Sequence, residues 1–264
     1  IREEYGDELR VAPYLGVYYY GYNMAKPPLK DNVALRKALS MAIDREQLAE
    51  KVMGRGEAPA YSWVPPGVNN YEPTKVGFAA LGKEDREKLA RLRYKEAGYG
   101  GDNPLQIEVR YNTNDTNKKV AVAIQAMWRD VLGVEATLIN EEFQVLLTNM
   151  REGEVTQVFR SSWIGDYNDA HTFLSVLQGG HAANMPRYSS EEYDGLMERA
   201  AQQVDPARRR LYLEEAERVM LSDHPVIPLY FFVSKHLVSP DVDGWGDNVL
   251  DYHYSQHLSL KAAD

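Results

Sequence analysis

The hydrophobic positions of this chain follow two periods, one of two residues and one of three to four. Segments that alternate, or that are rich in β-branched and aromatic residues, are typical of strands. They lie at residues 14–22, 105–111, 134–139, 155–161 and 226–233. Segments with apolar residues at helical spacing predict helices. These lie at residues 32–43, 44–52, 84–97, 117–132, 143–150, 173–177, 190–200 and 206–220.

Capping residues support several of these helices. Ser189 to Glu192 has the form of a capping box, and Asp205 followed by Pro206 is a cap with proline at the first helical position. Asn114 can cap the helix that ends at Gly133. These signals place the helix starts more firmly than hydrophobic spacing alone.

Strands and helices alternate four times through the middle of the chain. This order predicts an α/β fold with a mixed, mostly parallel sheet flanked by helices. The long connection 57–78 contains four prolines together with Tyr61, Trp63 and Tyr71. Its aromatic residues favour a packed wall over a flexible linker.

The segment 157–177 concentrates the unusual chemistry. A strand leads into a loop that begins at Gly165, and Asp166 follows at the carboxyl end of the strand, where α/β sheets usually bind ligands. Trp163 and Tyr167 flank this acid, and Arg160 precedes it by six residues. An anion, a cation and two aromatic faces form a plausible receptor for a zwitterion. A turn-forming or helix-capping aspartate beside a packed tryptophan is the competing interpretation.

Composition excludes several functional classes. The chain has 264 residues, 44% hydrophobic and 26% charged, and a formal charge of −9. This charge disfavours binding to nucleic acid. Since there is no cysteine, thiolate metal sites and cysteine nucleophiles are excluded. No run of 18 apolar residues occurs. The first residue is Ile1 and a strand follows closely, so we expect a processed protein or a fragment of a longer one.

The remaining candidate motifs are weak. His253 and His257 are four residues apart but lack a helical pattern, so we predict no metal site and no cofactor. His224 is interpreted as a group at a helix end near the negative dipole. Glu141 and Glu142 are adjacent and point apart, which indicates a solvated helix start and not a catalytic pair. No nucleotide-binding or nucleophile motif occurs. The run 208–210 of three arginines is interpreted as a solvated helix face.

Several segments, taken together and in order, resemble the carboxyl-terminal half of periplasmic oligopeptide-binding proteins, the solute receptors of peptide ABC transporters. These segments are residues 32–45 (NVALRKALSMAIDR), 58–66 (APAYSWVPP), 111–119 (YNTNDTNKK), 163–168 (WIGDYN) and 226–232 (VIPLYFF).

The resemblance implies a periplasmic-binding-protein-like type II lobe within a receptor of about twice this length. Residues 25–238 would form the carboxyl-terminal ligand-binding lobe. Residues 1–24 would be a strand segment crossing from the other lobe, and residues 239–264 a tail returning to it. The amino-terminal lobe would then be missing from this chain, and closure of the receptor would need it.

The resemblance also implies roles for individual residues. Asp166 matches the aspartate that pairs with the peptide α-ammonium, Trp163 a pocket aromatic, and Arg160 and Arg151 arginines that can receive carboxylates. The other candidate ligand-binding residues lie in or beside pocket segments; they are Tyr167, Tyr111, Asn112 and Trp63.

Two positions depart from the best-known oligopeptide receptors. Asn117 stands where they have a histidine, and Met53 where they have a lysine. Both family residues help to receive the peptide carboxyl terminus, so the resemblance does not define the preferred peptide length.

We therefore expect a non-enzymatic receptor that binds peptides and delivers them to the membrane permease of an ABC importer. Its location would be periplasmic or anchored at the cell surface. The alternatives are a metabolite-sensing lobe of a transcriptional regulator and a hydrolase that uses Asp166 and Glu141.

Overall fold

A computed structural model describes residues 4–155 and 157–261. Residues 1–3, 156 and 262–264, which belong to the predicted segments 1–24, 155–161 and 239–264, lie outside this description. The strands are β1 Leu9–Tyr22, β2 Ala58–Pro59, β3 Gln106–Asn112, β4 Glu135–Glu141, β5 Val158–Ile164, β6 Val226–Leu237, β7 Val242–Asp243 and β8 Ser259–Leu260. The helices are α1 Val33–Met41, α2 Arg45–Gln47, α3 Lys83–Glu96, α4 Asp115–Leu132, α5 Phe143–Glu152, α6 His171–Leu174, α7 Glu191–Gln202 and α8 Pro206–Asp223.

Six strands form the main sheet in the order β2-β6-β1-β5-β3-β4. β3 pairs in parallel with both β4 and β5, while β1 pairs antiparallel with β5 and β6. The predicted α/β type II lobe with a mixed sheet flanked by helices is confirmed. Its parallel part is β5-β3-β4, the strands that alternate with helices along the chain. β7 and β8 form a separate antiparallel pair in the tail.

The first strand, β1, lies in the middle of the sheet. The consecutive residues Val17, Tyr18, Tyr19 and Tyr20 are at most 4% exposed, so the strand is covered on both faces. Tyr18 stacks on Tyr230 of β6 with ring centres 4.6 Å apart. At Gly21 the Phe159 ring occupies the space that a Cβ atom would need, so only glycine fits there.

The predicted elements exist, but some boundaries differ. β1 begins five residues earlier than residues 14–22 predicted, because its first part, which includes Pro13, pairs with the end of β6. β5 begins at Val158 and extends to Ile164, later than predicted, because it pairs with β1 along this length. Cross-strand pairing defines such ends, and a single segment does not contain that information.

The connection 57–78 is fixed to α8 by one buried carboxylate. Glu217 is fully buried and accepts hydrogen bonds from the backbone N–H of Trp63 at 2.8 Å and of Val64 and Thr74 at 2.7 Å each. The Tyr71 hydroxyl donates the fourth, at 2.7 Å. Burial raises the pKa of Glu217 to about 7, and the four donors oppose that rise. The connection is therefore a packed wall, as predicted.

Three minor predictions have different outcomes. Glu142 caps α5 as predicted, but the prediction of a solvated helix start is wrong for Glu141, which is the last residue of β4, is 11% exposed and pairs with Arg110 at 2.8 Å. His224 does end α8, but burial lowers its pKa to about 3, so it is neutral and makes no cationic interaction with the helix dipole. The solvated-face interpretation of residues 208–210 is wrong for Arg209, which forms an ion pair with Asp169.

None of the helices in the described part of the chain combines the length and the apolar character needed to cross a bilayer.

Candidate functional site

Arg160 lies on β5 with its guanidinium over the Tyr18 ring of β1. The guanidinium carbon is 4.6 Å from the ring centre, within the range of a cation–π interaction. Nη1 donates to Asn112 Oδ1 at 3.2 Å and Nη2 to Ser162 Oγ at 3.4 Å. Within the described residues no carboxylate forms a salt bridge with this cation. Its charge is therefore available to an anion from outside the lobe.

Asn117, at the start of α4, holds the neighbours of Arg160 in place. Its Nδ2 donates to the Asn112 carbonyl oxygen at 3.2 Å and to Asn112 Oδ1 at 3.0 Å. Its Oδ1 accepts from the Tyr18 hydroxyl at 3.0 Å. Burial raises the pKa of Tyr18 to about 12, so the hydroxyl keeps its proton and remains a donor. Asn117 thus fixes both the ring under Arg160 and the amide beside it.

A cavity of about 230 Å³ opens beside Arg160. It brings together four of the residues that the sequence singled out: Asn112, Arg151, Arg160 and Trp163. The rest of its wall is mostly apolar and comes from β1, α5 and the loop before α7, namely Tyr19, Phe143, Leu146, Leu147, Met150, Ala183 and Met185. Ser161 and Ser162 add hydroxyl groups. An apolar cavity with a few convergent polar groups is the usual form of a small-molecule site.

Two buried nitrogen donors in this region have no hydrogen-bond partner in the described part of the chain. They are Nε of Arg160 and Nε1 of Trp163. Buried donors are nearly always satisfied in folded proteins, by protein, by water or by a ligand. Both donors belong to residues that line the cavity.

Asp166 lies in the loop after β5, and its carboxylate is exposed. Among the described residues it accepts one hydrogen bond, from Thr172 Oγ1 at 3.4 Å, while its own N–H donates to the same hydroxyl at 3.1 Å. It is not a helix cap, because α6 begins five residues later, after Ala170. The capping alternative is therefore wrong, and the charge of Asp166 has no cationic partner in the described chain.

The second acid of this loop differs. Asp169 receives both guanidinium nitrogens of Arg209, at 2.7 and 2.9 Å, and the His171 N–H at 2.8 Å. Despite its partial burial, these bonds lower its pKa. Tyr167 is exposed and its hydroxyl lies 2.8 Å from His171 Nδ1. The loop is thus held by Asp169, whereas Asp166 remains free to bind a cation.

Four predicted residues lie outside the cavity wall: Asp166 and Tyr167 in the loop after β5, and Trp63 and Tyr111. Trp63 is fully buried, its Nε1 donates to the Phe173 carbonyl oxygen at 2.6 Å, and it packs edge-on against Tyr19. Tyr111 is 5% exposed on β3, next to Asn112. Trp63 therefore packs behind Tyr19, which lines the cavity. The side chains of Trp63 and Tyr111 do not line it.

The sequence alone did not identify Tyr18 as a neighbour of Arg160, and it singled out Asn117 only as a departure from the family. Recognising Tyr18 would have required the pairing of β1 with β5, in which Tyr18 lies opposite Ser162. Recognising Asn117 would have required the packing of α4 on this edge. Neither relationship has a local sequence signal.

Comparisons with known proteins identify the family of the chain. The sequence profile described as bacterial extracellular solute-binding proteins, family 5, matches residues 2–185. The chain is 34% identical to the periplasmic oligopeptide-binding protein OppA of Escherichia coli over 98% of its own length and 48% of that protein. The chain thus spans about half the length of such curated relatives.

Solved structures give the same result. The murein tripeptide-binding protein MppA in its unliganded open form superposes with a TM-score of 0.91 at 32% identity, over 98% of this chain and 50% of that one. OppA of Burkholderia pseudomallei gives 0.88 at 36% identity, over 99% and 52%. The profile, sequence and fold all agree, so this chain belongs to the bacterial extracellular solute-binding proteins of family 5.

Proposed function

We propose that this chain is the carboxyl-terminal lobe of an extracytoplasmic receptor that binds peptides and delivers them to the permease of an ABC importer. The observation that carries the proposal is an acid in the loop that follows β5 and a base on β5 itself, both without an ion-pair partner among the described residues. Asp166 accepts a hydrogen bond there only from Thr172, and Arg160 forms no salt bridge with a carboxylate there. A peptide with free termini supplies both.

The chemistry of the two ends is complementary to a peptide. A charge-assisted hydrogen bond from an α-ammonium to Asp166 contributes about 1.5–3 kcal/mol when water is excluded. Arg160, with Arg151 as a second candidate, would receive the carboxylate, and Nε of Arg160 is still unsatisfied. Trp163 and Tyr167 would flank the backbone. Tyr111, Asn112 and Trp63 would support the pocket, Asn112 through its bond to Arg160 and Trp63 through Tyr19.

The composition of the cavity wall favours a ligand that is held mainly by its two charged ends. The wall of the cavity beside Arg160 is mostly apolar and carries two methionines, Met150 and Met185. Methionine side chains adapt to ligands of different shape. A receptor built in this way would discriminate strongly for free termini and weakly among side chains.

The names of the relatives support the same function. OppA of Escherichia coli is named a periplasmic oligopeptide-binding protein, and MppA a periplasmic murein tripeptide-binding protein. Membership of that family favours a receptor over a regulatory lobe or a hydrolase. We infer a periplasmic or cell-surface location, a non-enzymatic role and closure against an amino-terminal lobe. Within the receptor, residues 25–238 would bind the ligand, and residues 1–24 and 239–264 would cross to the other lobe.

The test is calorimetric titration of the full-length gene product with peptides of two to five residues, each free, N-acetylated and C-amidated. We expect N-acetylation and Asp166→Asn each to weaken binding by about tenfold to a hundredfold, which corresponds to about 1.4–2.8 kcal/mol. Glu198→Gln is the control, since it removes an acidic charge from the exposed face of α7. It should change peptide affinity far less.

Equal affinity for free and acetylated peptides, or parental affinity in Asp166→Asn, would contradict the proposal. Release of cleavage products during incubation would instead identify a hydrolase. Metabolite-dependent binding of the full-length gene product to promoter DNA would identify the regulatory alternative.

A further inference from the structure

Three potential metal ligands meet where the end of β6 faces the C-terminal tail. His236 lies on β6, and Asp251 and His253 lie in the tail between β7 and β8. Nε2 of His236 is 2.7 Å from Asp251 Oδ1, and Nε2 of His253 is 3.2 Å from the same oxygen. All three donor atoms lie within 4.8 Å of one another.

This donor set matches the ligands of a divalent transition-metal ion. Zn²⁺ binds imidazole nitrogen at about 2.0–2.1 Å and carboxylate oxygen at about 2.0–2.2 Å, so tetrahedral ligand atoms are about 3.3 Å apart. Two of the separations in this cluster, 2.7 and 3.2 Å, lie near that value, and all three lie within 4.8 Å. Ca²⁺ and Mg²⁺ prefer sites made of oxygen ligands, and two imidazoles disfavour them.

The rings are held in place by an aromatic neighbour. Trp245 stacks on His253 with ring centres 3.6 Å apart and planes 13° from parallel. The same indole lies 5.0 Å from the His236 ring, and the two imidazoles are 5.2 Å apart at 72°. Stacking limits rotation of His253 and covers one side of the cluster, as the shell around a metal site does.

The backbone also directs the carboxylate toward the two imidazoles. Asp251 has a φ of 58°, in the left-handed region, and its N–H donates to the Asn248 carbonyl oxygen at 3.1 Å. Aspartate tolerates this conformation better than most residues. The side chains of His236 and Asp251 are 33% and 27% exposed and that of His253 is 11% exposed, so an ion can reach a site that is largely formed.

We propose that His236, Asp251 and His253 bind Zn²⁺ or a divalent ion of similar ligand preference, with the fourth coordination position open to water. The site is separate from the peptide cavity and independent of the proposed function. The ion would replace the two histidine–aspartate hydrogen bonds by bonds to the metal. It would cross-link the tail to the strand β6 of the main sheet, so that metal binding and tail docking become coupled.

The histidine pair that stands out in the sequence is not the pair that meets in the fold. His253 and His257 are spaced four residues apart, but in the fold His257 lies in the turn Ser255–His257 and packs edge-on against Tyr254. His253 instead meets Asp251, which is close to it in the tail, and His236 on β6.

The test is calorimetric titration of the EDTA-treated, dialysed chain with ZnCl₂ in a non-chelating buffer at pH 7.5. We expect one saturable site, and at least a tenfold loss of Zn²⁺ affinity in each of His236→Gln, His253→Gln and Asp251→Asn. Glutamine and asparagine preserve polarity and size, so these variants should remain folded, which far-UV circular dichroism checks. His257→Gln and His181→Gln are matched controls and should bind Zn²⁺ like the parent.

A second readout follows the tail itself. Zn²⁺ should slow amide hydrogen exchange in residues 245–255 of the parent and leave it unchanged in His236→Gln. No saturable binding, or parental affinity in both His236→Gln and His253→Gln, would overturn the proposal and leave an ordinary hydrogen-bonded cluster. An equal loss in the control variants would also overturn it, since the ion would then bind elsewhere.

Discussion

The Arg160 guanidinium lies over the Tyr18 ring, with 4.6 Å between the guanidinium carbon and the ring centre. Arg160 comes from β5 and Tyr18 from β1, two strands that are neighbours in the sheet but distant in sequence. Tyr18 also donates to Asn117, and Asn117 holds the amide that accepts from Arg160. The cation is therefore oriented before any ligand arrives, which lowers the entropic cost of binding.

Asn117→Ala tests this preorganisation. The substitution removes the support of Asn112, so Arg160 loses a fixed direction while keeping its charge. We expect the affinity for a peptide with a free carboxylate to fall about three- to tenfold, the effect of losing roughly one hydrogen bond. Affinity for the C-amidated peptide should change less. Calorimetry on the full-length gene product measures both.

The control for that experiment is Gln202→Ala, at the exposed end of α7. It should leave both affinities unchanged. If Asn117→Ala keeps the full preference for the free carboxylate, Asn117 does not act through Arg160.

Gly21→Ala tests the close packing of β1 and β5. The added methyl group would enter the space of the Phe159 ring, and overpacking of this kind costs about 1–3 kcal/mol. Phe159→Leu should relieve part of the cost in the double variant, while destabilising the parent on its own. Urea unfolding of the four proteins gives the coupling free energy, and additive effects would contradict the close contact.

The matched control is Gly195→Ala in α7, where nothing lies within 4 Å of the added carbon. Because alanine is the better helix former, this variant should be more stable than the parent by about 0.5–1 kcal/mol.

Because the pKa of Glu217 is raised in the fold, we expect the stability of the protein to decline as pH rises. Its pKa is about 7 in the fold and 4.5 in the unfolded chain, so between these values the folded state binds more protons. The free energy of unfolding should therefore fall as pH rises from 4.5 to 7, by up to about 3 kcal/mol from this group. Glu217→Gln cannot ionise and should lack this component. Thermal unfolding of both proteins at pH 5 and pH 7.5 measures it, and equal pH dependence would refute the assignment.

Because the pKa of His224 is lowered in the fold, we expect the opposite pH dependence of stability from this residue. Burial lowers its pKa to about 3, whereas the unfolded histidine protonates near 6.5. Below pH 6.5 the unfolded state binds more protons, so stability should fall as pH decreases from 6.5 toward 3. His224→Asn keeps a residue that tolerates the left-handed backbone, φ 52°, and removes the titrating ring. Its unfolding midpoint in urea should change less than that of the parent between pH 7 and pH 4.

Local patterns predicted the elements well because caps and periodicity act within a few residues. Asn114 and Asp205 do cap α4 and α8, and Gly133 does end α4. The sequence also singled out Arg160, Trp163 and Asn112, which the fold assembles around one cavity. What it missed depends on pairing between distant segments: Tyr18 under Arg160, Glu217 inside the connection 57–78, and His236 beside His253. The burial of Trp63 was missed for the same reason. The sequence around an aromatic residue in a loop does not show whether its side chain will line a cavity or pack behind the lining.

The central position of β1 has a consequence for synthesis. Its neighbours β5 and β6 are made long after it, and at ribosomal rates of about 5–20 residues per second β5 follows roughly 7 to 27 s later. During that interval a tyrosine-rich strand with free backbone groups on both edges has no partner in its own sheet. Such a strand has edges prone to aggregation, and only completion of β5 and β6 covers them.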